Sequence, residues 1–166
     1  MSLVCLDTHV LIWAIKKEAV HGQEDMISRA TALIDRLEMA GKRLLIPTIV
    51  MGEFLIKIPP DALQATIDHL NSSFMIAPYD ALAAIHYARL QRLWDSTGAR
   101  SGEPFEGKTR HELKADRMIV ATAVAAGAQR IYSHDKALRA FAEGYIEVFD
   151  IPVTIEQGDF FNHINR

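Results

Sequence analysis

A single cysteine, Cys5, stands in the 166-residue chain, which excludes an intrachain disulfide and any zinc site built on a cysteine cluster. No apolar run approaches the 18 residues of a membrane-spanning helix. No basic stretch precedes the apolar residues near the N-terminus, and Asp7 interrupts them, so a signal peptide is not expected. Positive charge is in slight deficit, with 18 Lys and Arg against 21 Asp and Glu and a net charge of −3. The chain therefore has no global field for a polyanion, and a nucleic-acid partner would need a local basic patch or a bound cation. No G-x-G-x-x-G occurs, so the sequence carries no dinucleotide-binding fingerprint. Seven histidines are present, none in His-x-x-x-His spacing, and only His134, beside Asp135, is a candidate substrate contact. Asp7-Thr8-His9 lacks a second aspartate two positions on, which argues against an aspartyl-phosphate enzyme.

What remains is an ordinary globular composition, 49% hydrophobic and 23% charged, enough for one well-packed domain over residues 1–166. A cytoplasmic location is the default expectation. Short apolar runs alternate with helical patterns. Strands are predicted at residues 3–6, 44–46, 74–77, 130–133 and 145–149. Helices are predicted from Thr8 to about Lys17, over 24–41, and over 49–57 with Thr48 as N-cap. Further helices run from Asp61 to about Leu70, from Asp80 toward Trp94, over 112–126, and from Asp135 to Ala142. Residues 95–111 hold three glycines and a proline and read as a long surface loop, expected to flank the substrate. The alternation predicts an α/β fold of three α/β/α layers around a central, mostly parallel sheet. In such sheets ligands sit beyond the carboxyl ends of the strands.

Acidic residues fall where that rule says to look. Asp7 and Asp135 each follow a predicted strand, where an aspartate caps a helix, acts chemically, or does both. Glu53 lies in Ile49-Val-Met-Gly-Glu-Phe-Leu-Ile, a segment apolar nearly all round and therefore expected to be buried. An ionised carboxylate there needs a cation or strong donors; a buried ion pair and a neutral acid are the alternatives. Asp116 is placed near the start of a small, apolar helix, which suits the positive end of its dipole. Four carboxylates converging at one sheet edge would repel one another, whereas one or two Mg²⁺ or Mn²⁺ ions would balance them. Lys108, Arg110, Lys114 and Arg117 lie beside Asp116, either as a local patch for phosphates or as a solvated helix face.

Four segments carry a resemblance. Leu6-Asp7-Thr8-His9-Val10-Leu11-Ile12-Trp13 resembles the opening motif of the PIN-domain ribonucleases, especially the VapC-like toxins. Ile46-Pro47-Thr48-Ile49-Val50-Met51-Gly52-Glu53-Phe54 is similar to their second motif. Ala115-Asp116-Arg117-Met118-Ile119-Val120-Ala121-Thr122-Ala123 is similar to the third, and Ile131-Tyr132-Ser133-His134-Asp135 to the fourth. The segments follow in the family's order across most of the chain. The resemblance implies that Asp7, Glu53, Asp116 and Asp135 are catalytic, metal-binding carboxylates, with Thr8 and Ser133 as supporting hydroxyls. It implies an endoribonuclease that hydrolyses RNA phosphodiesters with a water held by Mg²⁺ or Mn²⁺, and the toxin of a toxin–antitoxin pair. An antitoxin partner and a homodimer are expected with it, the apolar faces of residues 24–41 and 48–70 being candidate surfaces for the dimer. A non-catalytic PIN-like RNA-binding protein and a small phosphoesterase are the competing readings.

Overall fold

The computed structural model describes residues 2–97 and 105–153. Its elements run β1 (Leu3–Leu6), α1 (Thr8–Leu11), a π-helical turn (Ile12–Lys16), α2 (Asp25–Met39), β2 (Arg43–Pro47) and α3 (Thr48–Leu55). They continue with α4 (Leu63–Ser73), β3 (Met75–Ala77), α5 (Ala81–Thr97), α6 (Arg110–Ala125), β4 (Arg130–Tyr132), α7 (Lys136–Ala142) and β5 (Glu147–Phe149).

All five strands are parallel, in the order β3-β2-β1-β4-β5. The chain thus winds outward from β1 through β2 to β3, then crosses back through α5 and α6 to lay β4 on the other side of β1. That reversal makes the seam between β1 and β4 the switch point, where the loops leaving two neighbouring strands diverge and open a crevice. Val4, Cys5 and Leu6 are consecutive and all buried, as are Leu44, Leu45 and Ile46. Successive strand residues point to opposite faces, so both faces of the sheet are covered, as the unbroken apolar runs predicted. Leu6, Leu45, Ile46 and Ile131 supply the sheet's side of the core, and Leu11, Phe54, Ile119 and Leu138 pack from the helices.

Several boundaries differ from the sequence reading. Pro47, rather than Thr48, occupies the N-cap of α3 and offers no side-chain hydrogen bond. Helix α5 runs on through Asp95 to Thr97, supported by Gln91 Nε2 donating to Asp95 Oδ1 at 2.9 Å and Ser96 Oγ donating to the Leu93 carbonyl at 2.7 Å. Helix α6 starts at Arg110 because Thr109 and Glu112 form a capping box. Thr109 Oγ1 accepts from the Glu112 N–H at 3.2 Å, and Glu112 Oε2 accepts from the Thr109 N–H at 2.7 Å. Both ends of the predicted 95–111 loop are therefore helical, and its middle, 98–104, lies outside the described residues. Among the described residues no helix is long and apolar enough to cross a membrane.

Ile131 has no exposed surface on β4, the strand beside the switch point. Ile131→Ala should lower unfolding free energy by about 3 kcal/mol, the usual cost of a cavity of that size. Denaturant titration checks this, and a loss well under about 1 kcal/mol would mean that the site is not close-packed.

Candidate functional site

Strand β1 ends at Leu6, and the backbone N–H of Asp7 still donates to the Tyr132 carbonyl at 3.1 Å, which holds Asp7 against the end of β4. Asp7 caps α1: its Oδ1 accepts from the Thr8 N–H at 2.7 Å. Its other oxygen accepts from Ser133 Oγ at 2.6 Å. Ser133 Oγ in turn accepts from the Asp135 N–H at 3.0 Å. Asp135 caps α7, its Oδ1 accepting from the N–H groups of Ala137 and Leu138 at 2.8 and 3.3 Å. The capping and the functional readings of these two aspartates are thus compatible, because each spends one oxygen on a helix and turns the other toward the seam.

Thr8 Oγ1 donates to Glu53 Oε2 at 2.5 Å, tying α3 to the same seam. Glu53 is half-buried rather than enclosed as the sequence reading expected. The reason lies in α3, where Thr48, Gly52 and Ile56 form an exposed stripe at helical spacing while Val50 and Phe54 face the core. Asp116 also lies at the seam, where it shares Lys108 with Asp135, but it is not placed for the helix dipole. With α6 beginning at Arg110, Asp116 lies in the second turn, beyond the dipole's effective reach. Its partner is Lys108, whose Nζ donates to Asp116 Oδ2 at 2.7 Å and also to Asp135 Oδ2.

The electrostatics follow from this packing. Asp7 is 5% exposed and Asp116 is 7% exposed. Burial raises the pKa of Asp7, against the opposing Ser133 and Thr8 hydrogen bonds and the pull of His9, and the nearby Asp135 charge raises it further. Burial likewise raises Asp116 from 3.8 to about 7, with Asp135 and Asp7 adding to the rise and Lys108 opposing it. Burial lowers the Lys108 pKa, but its hydrogen bonds to Asp116 and Asp135 and their charges together carry it above the ordinary value. Asp7, Asp116 and Asp135 therefore sense one another, and Thr8, next to Asp7, links Glu53 into the same network.

The remaining basic residues part company with Lys108. Arg110 and Lys114 are exposed, and Arg117 lies over the Phe141 ring at 4.8 Å and donates from Nε to the Leu113 carbonyl at 3.1 Å. These three line a cleft of about 680 Å³ between α5 and α6, with Trp94, Phe105 and Phe141 among its walls. Trp94 packs edge-on against Phe105 and Phe141, with ring centroids 4.8 and 4.5 Å apart. His134 is engaged elsewhere: its Nδ1 pairs with Asp150 Oδ1 at 2.9 Å, and its ring meets the edge of Trp13. The Lys108 contact was not anticipated as an internal ion pair. Its one available signal was the proximity in sequence of a lysine to an aspartate that needed a partner.

Among the described residues, the side chains that meet at the seam around Asp7 and Asp135 offer carboxylate and hydroxyl oxygens, the donor set of a hard divalent cation rather than of zinc. Lys108 already places a positive charge between Asp116 and Asp135, so the fold does accept a cation there. Among the described residues, no three acidic, imidazole or thiol groups stand close enough to hold one ion together. The fit is therefore chemical: the oxygen donors suit Mg²⁺ or Mn²⁺, with Asp116 and Asp135 touching the ammonium and Asp7 joined to Asp135 through Ser133.

An acidic seam at the switch point of a five-stranded parallel sheet defines a small class of α/β proteins. The chain belongs to the PIN domain family, whose model matches residues 4–144. That family is one of nucleases, which generally use a divalent metal. Among solved structures, the chain is similar to a chain of VapBC2 from Rickettsia felis bound to a DNA fragment from their promoter. The two share 16% identity with a TM-score of 0.63, over 90% of this chain and 99% of that one. It is also similar to a chain of DNA-bound VapBC from Salmonella typhimurium, at 20% identity and TM-score 0.61, over 92% of this chain and 100% of that one. A third is VapBC-1 from nontypeable Haemophilus influenzae, at 14% identity and TM-score 0.61, over 89% of this chain and 97% of that one. At these identities the likeness is one of fold. No curated protein matches the chain.

The raised Asp116 pKa sets a pH dependence. A carboxyl whose folded pKa exceeds its unfolded value binds more protons in the folded state between the two. Its contribution to stability is full below about pH 4 and is lost as pH rises through about 7. In metal-free protein, Asp116→Asn should therefore gain stability relative to wild type between pH 4.5 and pH 8. Thermal melts at the two pH values check this; a variant that tracks wild type at both would contradict it.

Proposed function

We propose that this protein is a metal-dependent endoribonuclease and the toxin of a toxin–antitoxin pair. The observation that carries the reading is the continuous chain of contacts Glu53–Thr8, Asp7–Ser133, Ser133–Asp135 and Asp135–Lys108–Asp116 across the switch point. Asp7, Asp116 and Asp135 would hold Mg²⁺ or Mn²⁺, one or two ions, with Glu53 completing the acidic set. Such an ion supplies a lowered pKa for a water it holds and neutralises charge on a phosphodiester under attack.

The chain's own residues prepare that chemistry. Ser133 donates to Asp7 and orients one of its oxygens; Thr8 does the same for Glu53. Asp7 and Asp135 are further fixed by the N–H groups that they cap, so neither rotates away from the seam. Arg110, Lys114 and Arg117, on the neighbouring cleft, would meet the phosphates of an RNA strand, which an overall acidic protein cannot attract from a distance. The related structures are VapBC complexes, which supports an antitoxin as partner here. Ile56, Leu82, Ile85 and Leu93 are exposed and give apolar surface for such a partner or for a second copy in a homodimer. The same reading places the protein in the cytoplasm, where RNA and antitoxin are found.

Single-stranded RNA should be cut in the presence of Mg²⁺ or Mn²⁺ and spared when EDTA is added. Asp116→Asn, which removes one negative charge at constant shape, should reduce cleavage by about two orders of magnitude or more. RNA that is bound but left intact would favour the non-catalytic reading, and RNA neither bound nor cut would favour a small-molecule phosphoesterase.

A further inference from the structure

We infer that Lys108 is a built-in counter-ion that competes with a divalent cation for Asp116 and Asp135. The inference rests on the cation-site reading above and concerns what that site holds before an ion arrives. Lys108 Nζ touches one oxygen of each aspartate, and both aspartates belong to the acidic network. One ammonium offsets only part of the charge of four carboxylates, so the seam remains attractive to a doubly charged ion. An ion bound to those same oxygens would expel the ammonium by like-charge repulsion and by occupying its space.

The position of Lys108 is built on both sides. On one side, the Phe105 ring packs against both Trp94 and Phe141, and the Phe105 carbonyl accepts from the Lys108 N–H at 3.2 Å. Gly107, at φ 77°, makes the turn in the left-handed region that a side chain would strain. On the other side, Thr109 is locked into the capping box that opens α6. The backbone at Lys108 is thus held in place, and its flexible four-carbon stem is the part able to move. The displaced ammonium stays within a side chain's length of the site. This arrangement gives the metal-free protein a paired, stable seam and lowers its apparent affinity for metal by the strength of the pair it must break.

Mn²⁺ binding to the full chain, followed by calorimetry, tests this with Lys108→Met, which keeps length without charge, and Lys108→Arg, which keeps the charge. Lys108→Met should bind Mn²⁺ roughly fivefold more tightly than wild type, the equivalent of about 1 kcal/mol, and should melt lower without metal. Lys108→Arg should stay near wild type. A second measurement needs no variant: in wild type, Mg²⁺ should accelerate chemical labelling of the Lys108 amine several-fold, read by mass spectrometry. Unchanged or weaker Mn²⁺ affinity in Lys108→Met, or a labelling rate indifferent to Mg²⁺, would overturn the inference and leave the metal-site reading intact. Failure of all three proteins to take up Mn²⁺ would overturn both.

Discussion

Carboxylates gathered in a poorly solvated seam must find positive charge or take up protons, and the organisation of this protein follows from that constraint. Asp7 and Asp116 are almost fully buried, and each feels a neighbouring aspartate. Two kinds of compensation are visible. Hydroxyls and helix N-termini supply hydrogen bonds to Asp7 and Asp135, and a lysine supplies the charge. Burial raises Asp116 to about 7 against the opposing pull of Lys108. Under the function proposed above, a divalent ion would bring twice the ammonium's charge to the seam in a smaller volume.

The sheet explains why these residues meet. Asp7, Ser133 and Asp135 come from neighbouring strands β1 and β4, which are far apart in sequence and parallel in space. The N–H of Asp7 continues the pairing one step past β1, so register alone sets Asp7 opposite the exit of β4. Helix α3 delivers Glu53 directly after β2, the other neighbour of β1. Asp116, like Glu53, arrives from within a helix, and Lys108, in the segment just before that helix, supplies its counter-charge. Cavity size does not locate the chemistry: the space between α7 and β5, about 730 Å³, contains none of the four carboxylates.

Much of this was legible in the sequence because buried parallel strands write themselves as short, unbroken apolar runs. Leu3–Leu6 and Leu44–Ile46 are read directly, with Asp7 marking the end of the first and Pro47 the end of the second. Chain ends of helices were harder to read. Three glycines in residues 95–111 mask the Thr109–Glu112 capping box, so the pattern places the start of α6 at 112 rather than at Arg110 and makes the helix dipole a candidate partner for Asp116. The burial of Glu53 was overstated because an apolar composition conceals which residues face outward; Ile56 is exposed although its chemistry favours the core. The Lys108 contact spans only eight residues to Asp116 but 27 to Asp135. Only the fold brings the second partner within reach, and no periodicity encodes it.

On the proposal above, the seam between β1 and β4 is a divalent-cation site in which metal replaces the Lys108 ammonium. Anomalous diffraction from crystals grown with and without Mn²⁺ tests it most directly. The account requires a manganese peak bounded by oxygens of Asp7, Asp116 and Asp135, with the Lys108 side chain turned away from it. Crystals saturated with Mn²⁺ that show no peak at the seam, with Lys108 still bridging Asp116 and Asp135, would contradict it.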